Sequence, residues 1–227
     1  MLAWQDKSSS FLARGFLRWI ELLLKNRIMI GNKEEQKYWS KRYEENRTGW
    51  DIGYPSTPLK EYIDQLTDNT ISILIPGAGN AYEAIYLFEQ GFENVFIMDI
   101  SNIPLENFQN QNSNFPKEHV LHEDFFEHKC QYDLILEQTF FCSFPPTEEN
   151  RIGYVKKMKS LLKPAGKLVG LWFDIPLTGD MVKRPFGGTQ ELYLEYFKPH
   201  FSHVKFDKAY NSIPDREGQE LFGICVK

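Results

Sequence analysis

A Rossmann-like α/β fold is the architecture that this 227-residue sequence predicts, and three observations carry the prediction. Past residue 70, short β-rich runs alternate with stretches of helical patterning, as in chains that wind helices between strands. The first of those runs are continuous apolar strings, which is how a strand covered on both faces reads. The first run also enters a glycine-rich turn that leads into a helix.

Strands are expected at Ile71–Pro76 (ISILIP), Asn94–Ile100 (NVFIMDI), His119–His122, Tyr132–Glu137 (YDLILE), Lys167–Phe173 (KLVGLWF), His203–Lys208 and Leu221–Val226, seven in all. Helices fit between them at Ala81–Gln90, around Leu105–Gln111, and at Glu148–Leu162 and Gln190–Phe197. Lys163-Pro164-Ala165-Gly166 reads as a turn from helix into strand. Ala209–Gln219 is too short for a helical crossover, so the last two strands should pair antiparallel. Residues 33–66 precede the first strand and hold two aromatic-rich helices or turns, EEQKYWSKRYEEN and WDIGYPSTPLKEYIDQL. A segment in that position joins the centre of the sheet with difficulty. It should drape over the carboxyl ends of the strands, where such sheets bind ligands.

Composition fits one soluble domain, with 42% apolar, 25% charged and 15% aromatic residues. Cys130, Cys142 and Cys225 form no CxxC pair, which points to a reduced, cytoplasmic chain without a thiolate zinc site; no metal is expected. A net charge of -5 supplies no global attraction to phosphate backbones, so nucleic acid is not an expected partner. The charge is uneven: residues 1–30 hold Lys7, Arg14, Arg18, Lys25 and Arg27 against Asp6 and Glu21, net +3, leaving -8 for the other 197. Charged residues interrupt the apolar run Phe11–Ile30, so neither a membrane span nor a signal peptide is expected. Phe16, Trp19, Ile20, Leu23 and Leu24 recur at helical spacing, as in an amphipathic helix that packs on the domain or contacts another surface or partner. Met29 offers a second reading, in which residues 1–28 lie upstream of an ordinary start. The expected organisation is a basic extension at residues 1–30 and one monomeric domain at 31–227, with residues 31–69 as its cover.

The first strand runs into Gly77-Ala78-Gly79-Asn80. Glycines there let a ligand approach the backbone where a Cβ would block it, although a GxG also marks plain tight turns. Asp99 ends the second strand 20 residues after Gly79, where a carboxylate meets the two hydroxyls of a ribose. The alternative for Asp99 is a turn or N-cap acid. Tyr82 stands where the dinucleotide fingerprint has its third glycine, which favours a cofactor with a ribose but no pyrophosphate. The third strand ends in His122-Glu123-Asp124-Phe125-Phe126. Asp124 can accept an adenine amino proton while Phe125 packs on the ring, or it caps a helix before core phenylalanines.

Together YWSKRYEENRTGWDIGYPSTPL, LIPGAGNAYEA, MDIS, EDFF, LILEQTFFCSF, LLKPAGKLVGLWF and RPFGG resemble the thiopurine S-methyltransferase superfamily, especially its thiol, halide and thiocyanate branch. The resemblance covers roughly residues 38 to 225. It implies a seven-stranded class I methyltransferase sheet with its last strand antiparallel, an N-terminal helical cover, and S-adenosylmethionine as cofactor. It further implies that Trp39, Tyr43 and Trp50 are aromatic cofactor contacts, and that Gly77 and Gly79, Asp99, and Asp124 with Phe125 serve the loop, ribose and adenine positions. Glu137 and Gln138 fall where the family carries an acid and a tyrosine at the cofactor, so Gln138 departs from the pattern. Tyr43 replaces a tryptophan and Phe173 a tyrosine of the plant enzymes.

Methyl transfer from a sulfonium to an electron-rich atom is an in-line displacement, which asks the protein to align the reactants and exclude water. No catalytic base is therefore compulsory for a small soft acceptor: a thiol, hydrosulfide, thiocyanate, halide or thiopurine. The five histidines lie on no recognisable base motif; His128, for one, sits in a polar turn. Phe140, Phe141, Cys142, Phe144 and Phe173 are expected on the acceptor side, with Arg184 and Arg216 as candidates to attract an anion. Rival readings are an oxygen or nitrogen methyltransferase with the same donor site, and a catalytically silent cofactor-binding protein.

Overall fold

The computed structural model describes residues 33–227, so the amphipathic stretch and the charge reading of residues 1–30 lie outside the described residues. Helix α1 covers residues 33–44 and α2 Thr57–Ile63. The remaining elements alternate: β1 (Ile73–Pro76), α3 (Tyr82–Glu89), β2 (Val95–Asp99), α4 (Asn102–Gln111), β3 (Val120–His122), β4 (Tyr132–Gln138), α5 (Glu148–Ser160) and β5 (Leu162–Phe173). The chain closes with α6 (Gln190–Phe197), β6 (His203–Lys208) and β7 (Glu220–Val226). The seven expected strands form one sheet in the order β3-β2-β1-β4-β5-β7-β6.

The first five strands run parallel, and β7 is antiparallel to both of its neighbours, with Gly170 opposite Gly223 and Phe206 opposite Gly223. Continuous apolar strands become two cores because successive side chains point to opposite faces. Leu74, Ile135, Leu168 and Trp172 pack on one face with Tyr154, Met158 and Phe197 of α5 and α6. Ile73, Ile75, Leu134, Leu136 and Val169 pack on the other with Leu59 of α2, Ala84 and Leu87 of α3, and Phe108 of α4.

Most boundaries shift by one or two residues from expectation, and three of the differences have a visible cause. Asp99 Oδ1 accepts from Ser101 N at 2.8 Å, which turns the chain at once, so α4 starts at Asn102 rather than near Leu105. Helix α5 ends at Ser160 because Leu162 already pairs with Tyr132 in the sheet. Lys163–Gly166 falls inside β5 rather than before it. The turn survives there as a bulge: β4 advances from Tyr132 to Leu134 while β5 advances from Leu162 to Lys167, and Ala165 takes a φ of 62°. Of the second aromatic-rich segment, Thr57–Ile63 is the helical part.

Candidate active site at the carboxyl edge of the sheet

The centre of the site is the turn after β1. Gly77 and Gly79 have φ of 60° and 53°, and Ala81 follows at 52°, a left-handed geometry that favours glycine. Ala78 N donates to Met98 O at 2.9 Å and Gly79 N to Asp99 Oδ2 at 3.1 Å, which binds the turn to the end of β2. A Cβ on Gly77 would lie 2.2 Å from Phe140 Cδ2, and one on Gly79 would lie 3.0 Å from Tyr43 Oη. The glycines thus admit aromatic side chains of this chain itself.

Asp99 is 6% exposed, and burial raises its carboxyl to about 6, against the lowering effect of the Ser101 and Gly79 amides. Helix α1 crosses directly above it. Ser40 Oγ pairs with Ser101 Oγ at 3.0 Å, and Gln36 Nε2 pairs with His122 Nε2 at 3.2 Å. Trp50 receives Trp39 and Tyr43 edge-on, at centroid distances of 5.3 and 5.6 Å. Burial, then the Asp99 charge, pushes the Tyr43 phenol well above its usual range, so it stays a neutral hydroxyl. Arg216, itself buried, donates to Trp50 O at 2.8 Å and to Glu220 Oε1 at 3.3 Å, which locks the cover segment onto β7.

Asp124 Oδ1 accepts from Phe126 N at 2.8 Å, a local turn with no α-helix after it. Asp124 Oδ2 is buried without a hydrogen-bond partner. Phe125, 5% exposed, meets the Phe140 ring edge-on at 5.1 Å.

After β4, Glu137 is fully buried, and its Oε1 accepts from Phe140 N and Phe141 N, both at 2.8 Å. Burial pushes its carboxyl up to about 8, with the two amides acting in the opposite sense. Gln138 is half-buried beside Thr139, whose φ of 56° makes the sharp exit from the strand. Cys142 donates to Thr139 O at 3.1 Å, and burial raises its thiol, so it remains protonated. Phe141 is a core residue capped by the Arg151 guanidinium at 4.0 Å, whereas Phe140 and Phe144 pack at the edge of that core. Phe173 lies under Arg216 at 5.5 Å.

Arg184 is held by this chain. Its Nε donates to Ser143 O at 2.6 Å, its Nη2 pairs with Glu35 Oε1 at 2.7 Å, and its guanidinium covers Tyr38 at 4.6 Å. It also borders a cavity of about 150 Å³ lined by Ile175, Leu177 and Phe186. Sequence reasoning missed Glu35 and the buried Arg151, neither of which belongs to a local motif. It also placed His128 in a polar turn, whereas the ring is 5% exposed.

A parallel sheet with its final hairpin strand inserted antiparallel, a glycine turn and an acid at the tip of β2 fit the Rossmann-like class of α/β proteins. The chain matches the family described as Thiopurine S-methyltransferase over residues 34–220, and it belongs to that family of S-adenosylmethionine-dependent methyltransferases. It is similar to probable thiol methyltransferase 2 of Arabidopsis thaliana, 32% identical over 142 residues, a match spanning 60% of this chain and 62% of the relative. Thiocyanate methyltransferase 1 of the same plant is 29% identical over 196 residues, 83% of this chain and 84% of the relative. Among solved structures, the fold resembles 1,6-didemethyltoxoflavin-N1-methyltransferase of Burkholderia thailandensis with bound S-adenosylhomocysteine, at a TM-score of 0.67 and 18% identity over 85% of this chain and 86% of that one. Magnesium protoporphyrin IX methyltransferase of Synechocystis gives 0.61 and 12% over 86% and 99%.

Proposed function

We propose that this methyltransferase moves a methyl group from S-adenosylmethionine to a small soft nucleophile: a thiol, hydrosulfide, thiocyanate, halide or thiopurine. The residues present fit that donor. Asp124 Oδ2 is a buried acceptor without a partner, suited to the adenine amino group, with Phe125 beside it. Each Asp99 oxygen accepts one backbone N–H, which leaves capacity for ribose hydroxyls. Trp39, Tyr43 and Trp50, within the cover at residues 31–69, enclose the donor and favour its cation. Gly77, Gly79, Glu137 and Gln138 shape the turns that face it. When bound, the sulfonium supplies an electrophilic methyl group; the chain's part is to orient the acceptor and exclude water.

The observation that carries the acceptor class is the chemistry of the β4 exit. Phe140 and Phe173 provide apolar walls, backed by the buried Phe141 and Cys142, with Arg216 over Phe173 and Arg184 at the cover. The titratable groups beside those walls are ill-suited to remove a proton from an acceptor. Glu137 has a raised carboxyl, yet it is enclosed with two amides on one oxygen, and Cys142 is held as the thiol. Such walls favour nucleophiles that need little help in losing a proton.

An acceptor screen with labelled donor tests this reading. Sulfur or halide acceptors should turn over, and the rate with a neutral thiol should rise with pH towards its own pKa of about 8.5 while that with thiocyanate does not. Methylation of catechols or amines alone would overturn the acceptor class and leave the donor site standing. Donor binding without turnover of any acceptor would favour a silent binding protein.

A further inference from the structure

Glu123, His128 and Tyr132 form a hydrogen-bonded relay behind the loop that carries Asp124 and Phe125. His128 Nδ1 lies 2.7 Å from Glu123 Oε2, and its Nε2 lies 2.9 Å from Tyr132 Oη. A carboxylate can only accept, so Nδ1 carries a proton, and Nε2 pairs with the Tyr132 hydroxyl, which can accept or donate. Tyr132 is anchored independently of the loop. It is the first residue of β4, 3% exposed, paired with Leu162, and its N donates to Leu161 O at 2.9 Å. The relay therefore ties a loop to a strand.

The backbone closes the same loop from the other side. Glu127 N and His128 N donate to Asp124 O at 3.0 and 3.2 Å, Phe126 N donates to Asp124 Oδ1, and Lys157 Nζ donates to His128 O. These bonds fix the backbone from Asp124 to His128 and one of the two Asp124 carboxylate oxygens. Its other oxygen, Oδ2, is the buried acceptor without a partner. A hydrogen bond weakens steeply with misalignment, so an acceptor that selects one base needs a loop held from behind.

We propose that His128 is a positioning residue for the adenine-reading carboxylate: it sets Asp124 and Phe125 by clamping their loop to the start of β4. This rests on the donor site proposed above. His128 contacts neither donor nor acceptor; it acts through the loop.

The test compares binding of S-adenosylhomocysteine with that of its 6-deamino analogue, in which hydrogen replaces the adenine amino group. Calorimetry on the full chain and on His128→Phe, His128→Asn, Glu123→Ala and Asp124→Ala is accompanied by thermal melts. The unaltered chain should prefer the amino form by about 10- to 100-fold, the range of a charge-assisted hydrogen bond. His128→Phe and Glu123→Ala should each cut that preference by about fivefold or more, whereas His128→Asn, whose amide still donates towards Glu123, should recover part of it. A folded His128→Phe protein with undiminished preference overturns the proposal, even with a lower melting temperature, because a purely structural role moves stability alone. If Asp124→Ala abolishes the preference and the relay variants do not, the relay fails and the donor site stands. If Asp124→Ala also changes nothing, the donor-site reading fails, and the proposal with it. Should His128→Phe not fold, Glu123→Ala, at a half-exposed carboxylate, decides.

Discussion

Glu35 and Arg184, 149 residues apart in the sequence, meet at 2.7 Å where the cover helix crosses the loops that follow β4 and β5. The same guanidinium donates to Ser143 O and lies over Tyr38 and Trp39, so one side chain joins three segments. Arg184 is a latch on the cover.

Arg184→Ala should therefore raise the donor KM by about 3- to 10-fold. The Glu35 carboxylate is half-exposed, so the ion pair itself is worth about 1 kcal/mol or less, and the bond to Ser143 O adds a similar amount. Glu35→Gln should have a smaller effect in the same direction. Initial rates with the donor varied measure both; a rise in acceptor KM alone would instead make Arg184 an anion receptor.

Asp99 should make donor binding and fold stability respond to pH in opposite senses. Its folded carboxyl, at about 6, lies above the value of about 3.9 expected in the unfolded chain, so the folded state holds the extra proton between the two. Stability of the unliganded protein then falls as pH rises through that window, by about 2–3 kcal/mol, whereas donor affinity falls as pH drops through about 6. Asp99→Ala should flatten the first dependence and weaken binding of S-adenosylhomocysteine by about 30-fold or more. Urea denaturation and calorimetry between pH 4 and 8 read the two effects.

Glu137 titrates the same way over a wider window, with stability falling between the unfolded carboxyl value and about 8. Glu137→Gln keeps an acceptor for the Phe140 and Phe141 amides, so it should stay within about 1 kcal/mol of the parent at pH 7 and exceed it at pH 9. Glu137→Ala leaves two amides and a cavity, and should cost about 2–4 kcal/mol at pH 7 and about 1 kcal/mol less at pH 9, where the parent has lost its own share. Urea denaturation at both pH values checks the pair.

The fold was legible where a local pattern reports a tertiary fact. ILIP and LILE read as strands because both faces are covered, and Asp99 reads as a site residue because strand end and spacing coincide. Residues whose roles depend on distant partners were not legible. Glu35 looks like one more acid in a charged helix until Arg184 reaches it, and His128 looks polar until the loop returns it to Tyr132. Lys163–Gly166 misled for a different reason. A bulge and a turn share composition, and the ladder on either side decides between them.

Removal of residues 1–28 should leave donor binding unchanged within about twofold, because the family match begins at residue 34 and, among the described residues, Glu35, Gln36, Ser40, Tyr43 and Trp50 hold the cover to the domain. Calorimetry on the shortened chain beginning at Met29 measures it. Lost binding in a folded protein would give the extension a part in the site.

Tyr43 Oη sits 3.0 Å from where a methyl on Gly79 would stand, while Ala81, two residues on, already adopts the same left-handed backbone. A methyl at position 79 would therefore strain the turn itself, whose φ of 53° a side chain rarely adopts, and would ask the Tyr43 hydroxyl to give only slightly. The cost would be stored beneath the cover, in the turn, and helix 33–44 above it would keep the slow amide-proton exchange of the parent, as would the strands.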